Sequence, residues 1–222
     1  MSFLKTRTFG LVAALLTVSI WATFLLVTRF AVQGNFTVEE VLILRLIPGA
    51  LVMAPLMLKF DLLPRGQSWP RSIVLMIGAS AVFPYIVSNG LAYAPASDGG
   101  ALAPGILPFW TALAAYALAG ERPSKRRKLG LLMILTGAIL VGLWEVIAGA
   151  SNGAWKGHLM FLTGSGLFAV YSVIFRQSGL SPMHGLVIGL FWGTLCMTPL
   201  LFLTGNVSFA KSKLEDILEI PV

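Results

Sequence analysis

The chain has 222 residues, 57% of them hydrophobic and only 11% charged, against about a quarter charged in an ordinary soluble domain. A soluble core of this size cannot hide so much apolar surface, so lipid must serve as the solvent. The net charge of +7 does not point to nucleic acid, because the basic residues are scattered over short gaps between apolar runs and form no patch with interleaved aromatics.

A hydrocarbon core of about 30 Å needs roughly 20 helical residues, and in lipid every backbone polar group must bond internally. The first apolar run, 9–32, follows Lys5 and Arg7. It is longer than a signal-peptide core and no small-residue cleavage site ends it, so it is expected to stay as a helix. The second, 38–59, opens on Glu39 and Glu40, where acids suit a helix N-terminus. Further runs cover 72–94, 97–119, 128–147, 157–176 and 184–204. They are too long and too little alternating for barrel strands, and the expected fold is an all-α polytopic bundle of transmembrane helices. Cys196 lies inside the last run and has no second cysteine to pair with. The triplets starting at Asn35 and Asn206 fit the glycosylation pattern, which is common by chance.

Lys and Arg collect on the cytoplasmic side of membrane helices. With the N-terminus inside, that side holds Lys5, Arg7, Lys59, Arg65, Arg71, Arg122, Lys125, Arg126, Arg127, Lys128 and Arg176, and the outer side only Lys156, Lys211 and Lys213. The N-terminus is therefore expected in the cytoplasm, and the chain in a bacterial inner membrane.

The chain also repeats itself. Trp21 and Arg29 in the first run correspond to Phe168 and Arg176 in the sixth, at an offset of 147. In the second and seventh runs Leu46, Gly49, Leu51, Met53, Pro55 and Leu56 recur 144 residues later as Leu190, Gly193, Leu195, Met197, Pro199 and Leu200. The unit is then five helices, 9–147, followed by two helices of a second copy, 157–204. An odd unit forces its copy to enter the membrane inverted, a recurring transporter plan. The polar tail 205–222 reads as a loop toward a further helix, so the sequence is expected to hold seven helices of ten. The alternative is a seven-helix protein with an outside tail.

Several stretches resemble the EamA-like branch of the drug/metabolite transporter superfamily. They are Trp21 with Arg29; Leu44-Arg45-Leu46; Gly90-Leu91-Ala92-Tyr93-Ala94-Pro95-Ala96-Ser97; Pro104-Gly105 and Pro108; Gly120-Glu121-Arg122-Pro123; and the Gly130–Gly137 stretch. The resemblance covers nearly all of 9–147 and continues more weakly through 204. It implies a ten-helix carrier of small organic solutes with both termini cytoplasmic, driven by gradients rather than ATP; the sequence has no Walker A pattern.

Polar groups inside a membrane are costly, so each is a functional candidate. Arg45 leads: a guanidinium about 10 Å down the second helix suits a carboxylate or phosphate, against a structural pairing with a carbonyl or acid. Arg29 is near a helix end, where snorkelling also accounts for it. Trp21 lines a cavity or packs. Tyr85, Asn89 and Tyr93 recur every four residues and so share one face, either as cavity groups or as interhelical glue. Pro104 and Pro108 kink the fourth helix and free carbonyls for a solute, or serve packing alone. Asp98 suits the dipole of its helix, over proton coupling or pairing with Arg45. Gly130, Gly137 and Gly142 suggest close helix packing. His158 and His184 do not suggest a metal site.

The expected activity is secondary transport by alternating access between inverted repeats, with no cofactor or metal. The expected partners are a small, anionic solute, the bilayer, and a second copy or complementary chain. An enzyme would need clustered acids or histidines at the bilayer edge, and the sequence shows none. The competing reading is a truncated, non-transporting membrane protein acting as partner of another chain.

Overall fold

The computed structural model describes residues 7–34, 36–147 and 153–204. Lys5, Asn35 and the tail from 205 to 222, with Lys211 and Lys213, lie outside the described residues, as does the side chain of Glu145. Among the described residues there is no strand, and seven helices are long and apolar enough to cross a membrane. They are α1 (Arg7–Gln33), α2 (Val38–Met57), α3 (Trp69–Tyr93), α4 (Ala96–Ala119), α5 (Lys125–Ile147), α6 (Ala154–Ser178) and α7 (Pro182–Thr204). The chain is an integral membrane protein. Its exterior accordingly stays apolar, with Leu15 and Val18 of α1 at 69% and 66% exposure.

All seven expected runs form helices. α3, α5 and α6 each begin three residues earlier than apolarity alone suggests, because their first turns carry Arg71, Lys125 or Lys156 nearby and still hydrogen-bond as helix. α2 starts on a capping box. Glu40 N–H donates to Thr37 Oγ1 (3.2 Å) and Thr37 N–H to Glu40 Oε2 (2.8 Å), which satisfies two otherwise orphaned donors.

Two of the spans are interrupted. α3 widens into a π turn at Gly78–Val82, just ahead of Pro84, and α4 does so at Ala101–Gly105, ahead of Pro108. Proline has no N–H to give to the preceding turn, and a locally widened turn is one way a helix absorbs that loss. The part of α3 before its π turn packs on α7, and the part after it packs chiefly on α6 and α1.

The contacts fix helix directions. Arg29 near the end of α1 donates to Leu91 O near the end of α3, and Trp21 meets Phe83, so α1 and α3 run parallel. Gly90 late in α3 lies against Gly157 early in α6, while Gly78 lies against Tyr171, so α6 runs antiparallel to both. His158 meets Asp98 at the start of α4 and Arg176 meets Glu121 past its end, so α4 and α6 run parallel.

The core sits where α3 and α6 cross. Val87, Leu91 and Phe161 are fully buried there. A Cβ on Gly157 would come within 2.6 Å of both Ala94 Cβ and Gly90 O, and one on Gly90 within 2.6 Å of Phe161. These glycines let two backbones approach, as small residues do between membrane helices. The glycines of α5 behave otherwise: a Cβ at Gly130, Gly137 or Gly142 would meet nothing within 4 Å, and no residue from Lys125 to Trp144 is buried. Those three glycines were expected to mark close packing, and the structure corrects this. α5 is a peripheral helix whose glycine side faces outward.

Candidate functional site

Near mid-bundle, Trp21 of α1 packs against Phe168 of α6, and Phe24, one turn on from Trp21, lines the same cavity. Trp21 touches Phe83 (5.6 Å between ring centroids) and Phe168 edge-on (5.6 Å, 75°), and Phe83 lies 4.7 Å from Phe168. Such offset and edge-to-face contacts are the favoured aromatic geometries. These rings wall a cavity of about 330 Å³ into which Arg45 of α2 projects, with Ala79 at its margin.

Arg45 borders two further cavities. One, of about 310 Å³, lies toward Val27, Thr28 and Phe36; the other, of about 180 Å³, lies among Ser80, Tyr171, Gly189 and Leu190. The Arg45 Cζ stands 4.6 Å from the centroid of Phe24. Among the described residues no hydrogen bond or ion pair to this guanidinium is found. A cation–π contact is worth about 0.5–2 kcal/mol, whereas an arginine deep in a membrane helix costs about 2.5–3.5 kcal/mol even on the lenient insertion scale. The stack therefore offsets only part of that cost.

Trp21 and the Phe168 it meets are repeat equivalents. At the offset of 147, Trp21 corresponds to Phe168 and Phe24 to Tyr171; at the offset of 144, Arg45 corresponds to Gly189, which borders the same cavity as Arg45. The cation has no cationic counterpart, and the glycine opposite leaves room. Ser80 Oγ donates to Gly189 O at 2.5 Å, which fixes the backbone of α7 at that point.

The remaining sequence candidates lie elsewhere. Arg29 donates to Leu91 O and so acts at the α1–α3 contact. Tyr85 OH donates to Glu39 Oε1 (3.5 Å) and packs with Val38, Leu42 and Ile43, and it lines none of the cavities beside Arg45. Asn89 Nδ2 donates to Tyr85 O in its own helix (2.9 Å). Tyr93 is half exposed beneath the Lys156 amine, 5.7 Å from its ring centroid. Pro104 lies inside the π turn of α4, where the carbonyl of its neighbour Ala103 accepts from Ser165 Oγ (2.7 Å). Pro108, five residues on from Ala103, has no N–H to offer it. Asp98 pairs with His158 Nε2 (2.9 Å) rather than with Arg45.

Phe24, Phe83 and Phe168 escaped the sequence reading, although Phe168 stood in the repeat as the counterpart of Trp21. The Asp98–His158 pair had a signal too: both residues lie in the opening turns of even-numbered helices, which start at the same membrane face. A concavity of about 560 Å³ between α4 and α6 is lined by apolar side chains with Trp110 and Thr163 and carries no charge. Among the described residues no three His, Cys, Asp or Glu side chains gather closely enough to hold a metal ion.

Comparison with known proteins gives one result. A family model, described as the EamA-like transporter family, matches residues 8–143. No curated protein and no solved structure matches the chain.

Proposed function

Since the chain belongs to the EamA-like transporter family, we propose that it is a secondary carrier of small organic solutes that binds the anionic end of its solute at Arg45. Transport of the drug/metabolite type follows from the family; the solute's charge, the site and the mechanism are the reading put forward here. Supporting it above all is one observation: Arg45, exposed yet lying within a membrane-spanning helix, borders three adjoining cavities and is matched by no acid among the described residues. A carboxylate or phosphate would supply the missing charge with two parallel hydrogen bonds, between walls of Trp21, Phe24 and Phe168 that suit an apolar body.

The antiparallel course of α1 and α6, with equivalent residues meeting near mid-bundle, supports an inverted repeat, of units 9–147 and 157–204, around a central site. Alternating access then exchanges the face to which Arg45 is open. The basic gaps support a cytoplasmic N-terminus, and the reading puts the chain in a bacterial inner membrane. The same face carries Glu121, Arg122 and the Lys125–Lys128 run.

The test is uptake of a panel of labelled small acids, amines and neutral solutes into proteoliposomes. Acids are expected to dominate, and Arg45→Ala is expected to lower their uptake at least a hundredfold while the protein still inserts. Arg45→Lys should retain a fraction, because a point charge cannot reproduce a bidentate contact. Undiminished uptake by Arg45→Ala would discard the site.

A further inference from the structure

We propose that Asp98 and His158 form a proton-binding site that tightens and loosens the α4–α6 junction at the face where these two helices begin. Its use as the carrier's coupling site rests on the transport reading above; the site itself does not.

The pair joins the first turn of α4 to the second turn of α6. His158 Nε2 and Asp98 Oδ2 are 2.9 Å apart, with side chains only 9% and 14% exposed, and Ser97 Oγ donates to the other carboxylate oxygen at 3.1 Å. The neighbourhood is tightly packed, with Gly157 against Ala94 and Gly90, and Gly99 against Phe161 and Leu91. Any change in the spacing of the pair is therefore felt by the packing of α6 on α3.

α4 and α6 are linked at two other levels, by Ser165 Oγ to Ala103 O at mid-bundle and by Arg176 to Glu121 at the opposite face. A hydroxyl and a guanidinium hold their protons through the physiological range. Histidine is the side chain that exchanges a proton between about pH 5 and 8. The junction thus responds to protons at one face and not at the other.

The charged and titratable groups packed around the pair are Lys156 of α6, over the rings of Tyr93 and Trp155; Arg29 of α1, donating to Leu91 O; and, beyond α3, Glu39 with Tyr85 and Glu40 with Thr37. Glu145 at the end of α5 lies outside the described side chains. None of the named groups is a second histidine. A proton on His158 turns the hydrogen bond between a neutral imidazole and the Asp98 carboxylate into an ion pair and draws α4 and α6 together; without that proton only the carboxylate is charged and the junction relaxes.

The test uses thiol labelling, without any solute, on the full chain in nanodiscs. Cys196 is replaced by Ser and Ala154, which is buried beside the pair at 6% exposure, by Cys. Labelling by a membrane-impermeant reagent is corrected at each pH by that of an exposed Lys125→Cys control. The corrected rate is expected to be about tenfold higher at pH 8 than at pH 5.5. His158→Gln and Asp98→Asn should each abolish the difference, and Asp98→Glu, which keeps the acid if Asn compromises folding, should preserve it. Equal corrected rates at the two pH values, or a difference that survives His158→Gln, would overturn the proton site whether or not solute uptake is seen. A pH difference in a protein that moves no solute would support the site and count only against the carrier reading.

Discussion

Along the seam between α4 and α6 the polar links are matched: carboxylate to imidazole at one face, hydroxyl to carbonyl in the middle, carboxylate to guanidinium at the other. Across the bundle, α2 holds Arg45 against a single aromatic ring and three open spaces. The three links of the seam are satisfied internally, with Trp110 Nε1 left beside them as a buried donor without a partner, whereas the exposed Arg45 has no hydrogen bond or ion pair among the described residues. The difference teaches how to sort such groups. A matched group is already spent on the fold, and an unmatched one retains interaction energy for something that arrives from outside.

That contrast can be broken by stability measurements. Gly157→Val should be the most disruptive change, at about 3 kcal/mol or more, because its Cβ has no space against Ala94 and Gly90; unfolding in mixed micelles would register it. Ser165→Ala should cost about 1 kcal/mol, since it orphans the Ala103 carbonyl in a membrane interior. Glu121→Gln should cost at most about 0.5 kcal/mol, because the pair with Arg176 is half exposed and screened. Arg45→Ala should leave the unfolding midpoint unchanged or slightly raised while uptake is lost. A clear destabilisation by Arg45→Ala, comparable to that of Ser165→Ala, would erase the contrast. A pronounced loss of stability in Glu121→Gln would move this exposed link into the same class as the buried ones.

The spans were legible because length and apolarity are enough to specify a bilayer-crossing helix, and all seven runs became helices. Their starts were less so: Trp69-Pro70-Arg71 and Lys125-Arg126-Arg127 are helical despite being polar, since a helix may leave the hydrocarbon before it ends. Trp21 and Arg45 stood out in the sequence, one by its place in the repeat and the other by its charge, and they border one cavity. The rings around them did not stand out, because a phenylalanine in a sequence this apolar carries no distinguishing mark until its neighbours are known. Asp98 was legible as an acid in a helix's first turn. Its histidine partner lies 60 residues away, and that distance closes only when two helices are known to start side by side. Gly157 and Gly137 look alike in the sequence, yet one lies in a close backbone contact between two helices and the other has nothing within reach.

The widened turn at Gly78–Val82 carries one consequence for phase. A helix advances about 100° per residue, so a single extra residue in one turn swings the whole remaining stripe of side chains by nearly a third of a revolution. Phe83, Val87 and Leu91 fill the core beside α6 only with that extra residue in place. Losing one residue from this stretch would point the stripe elsewhere, carrying Phe83 away from Trp21 and Phe168. The composition of the aromatic wall is thus set by the count of residues in the turn that precedes Phe83.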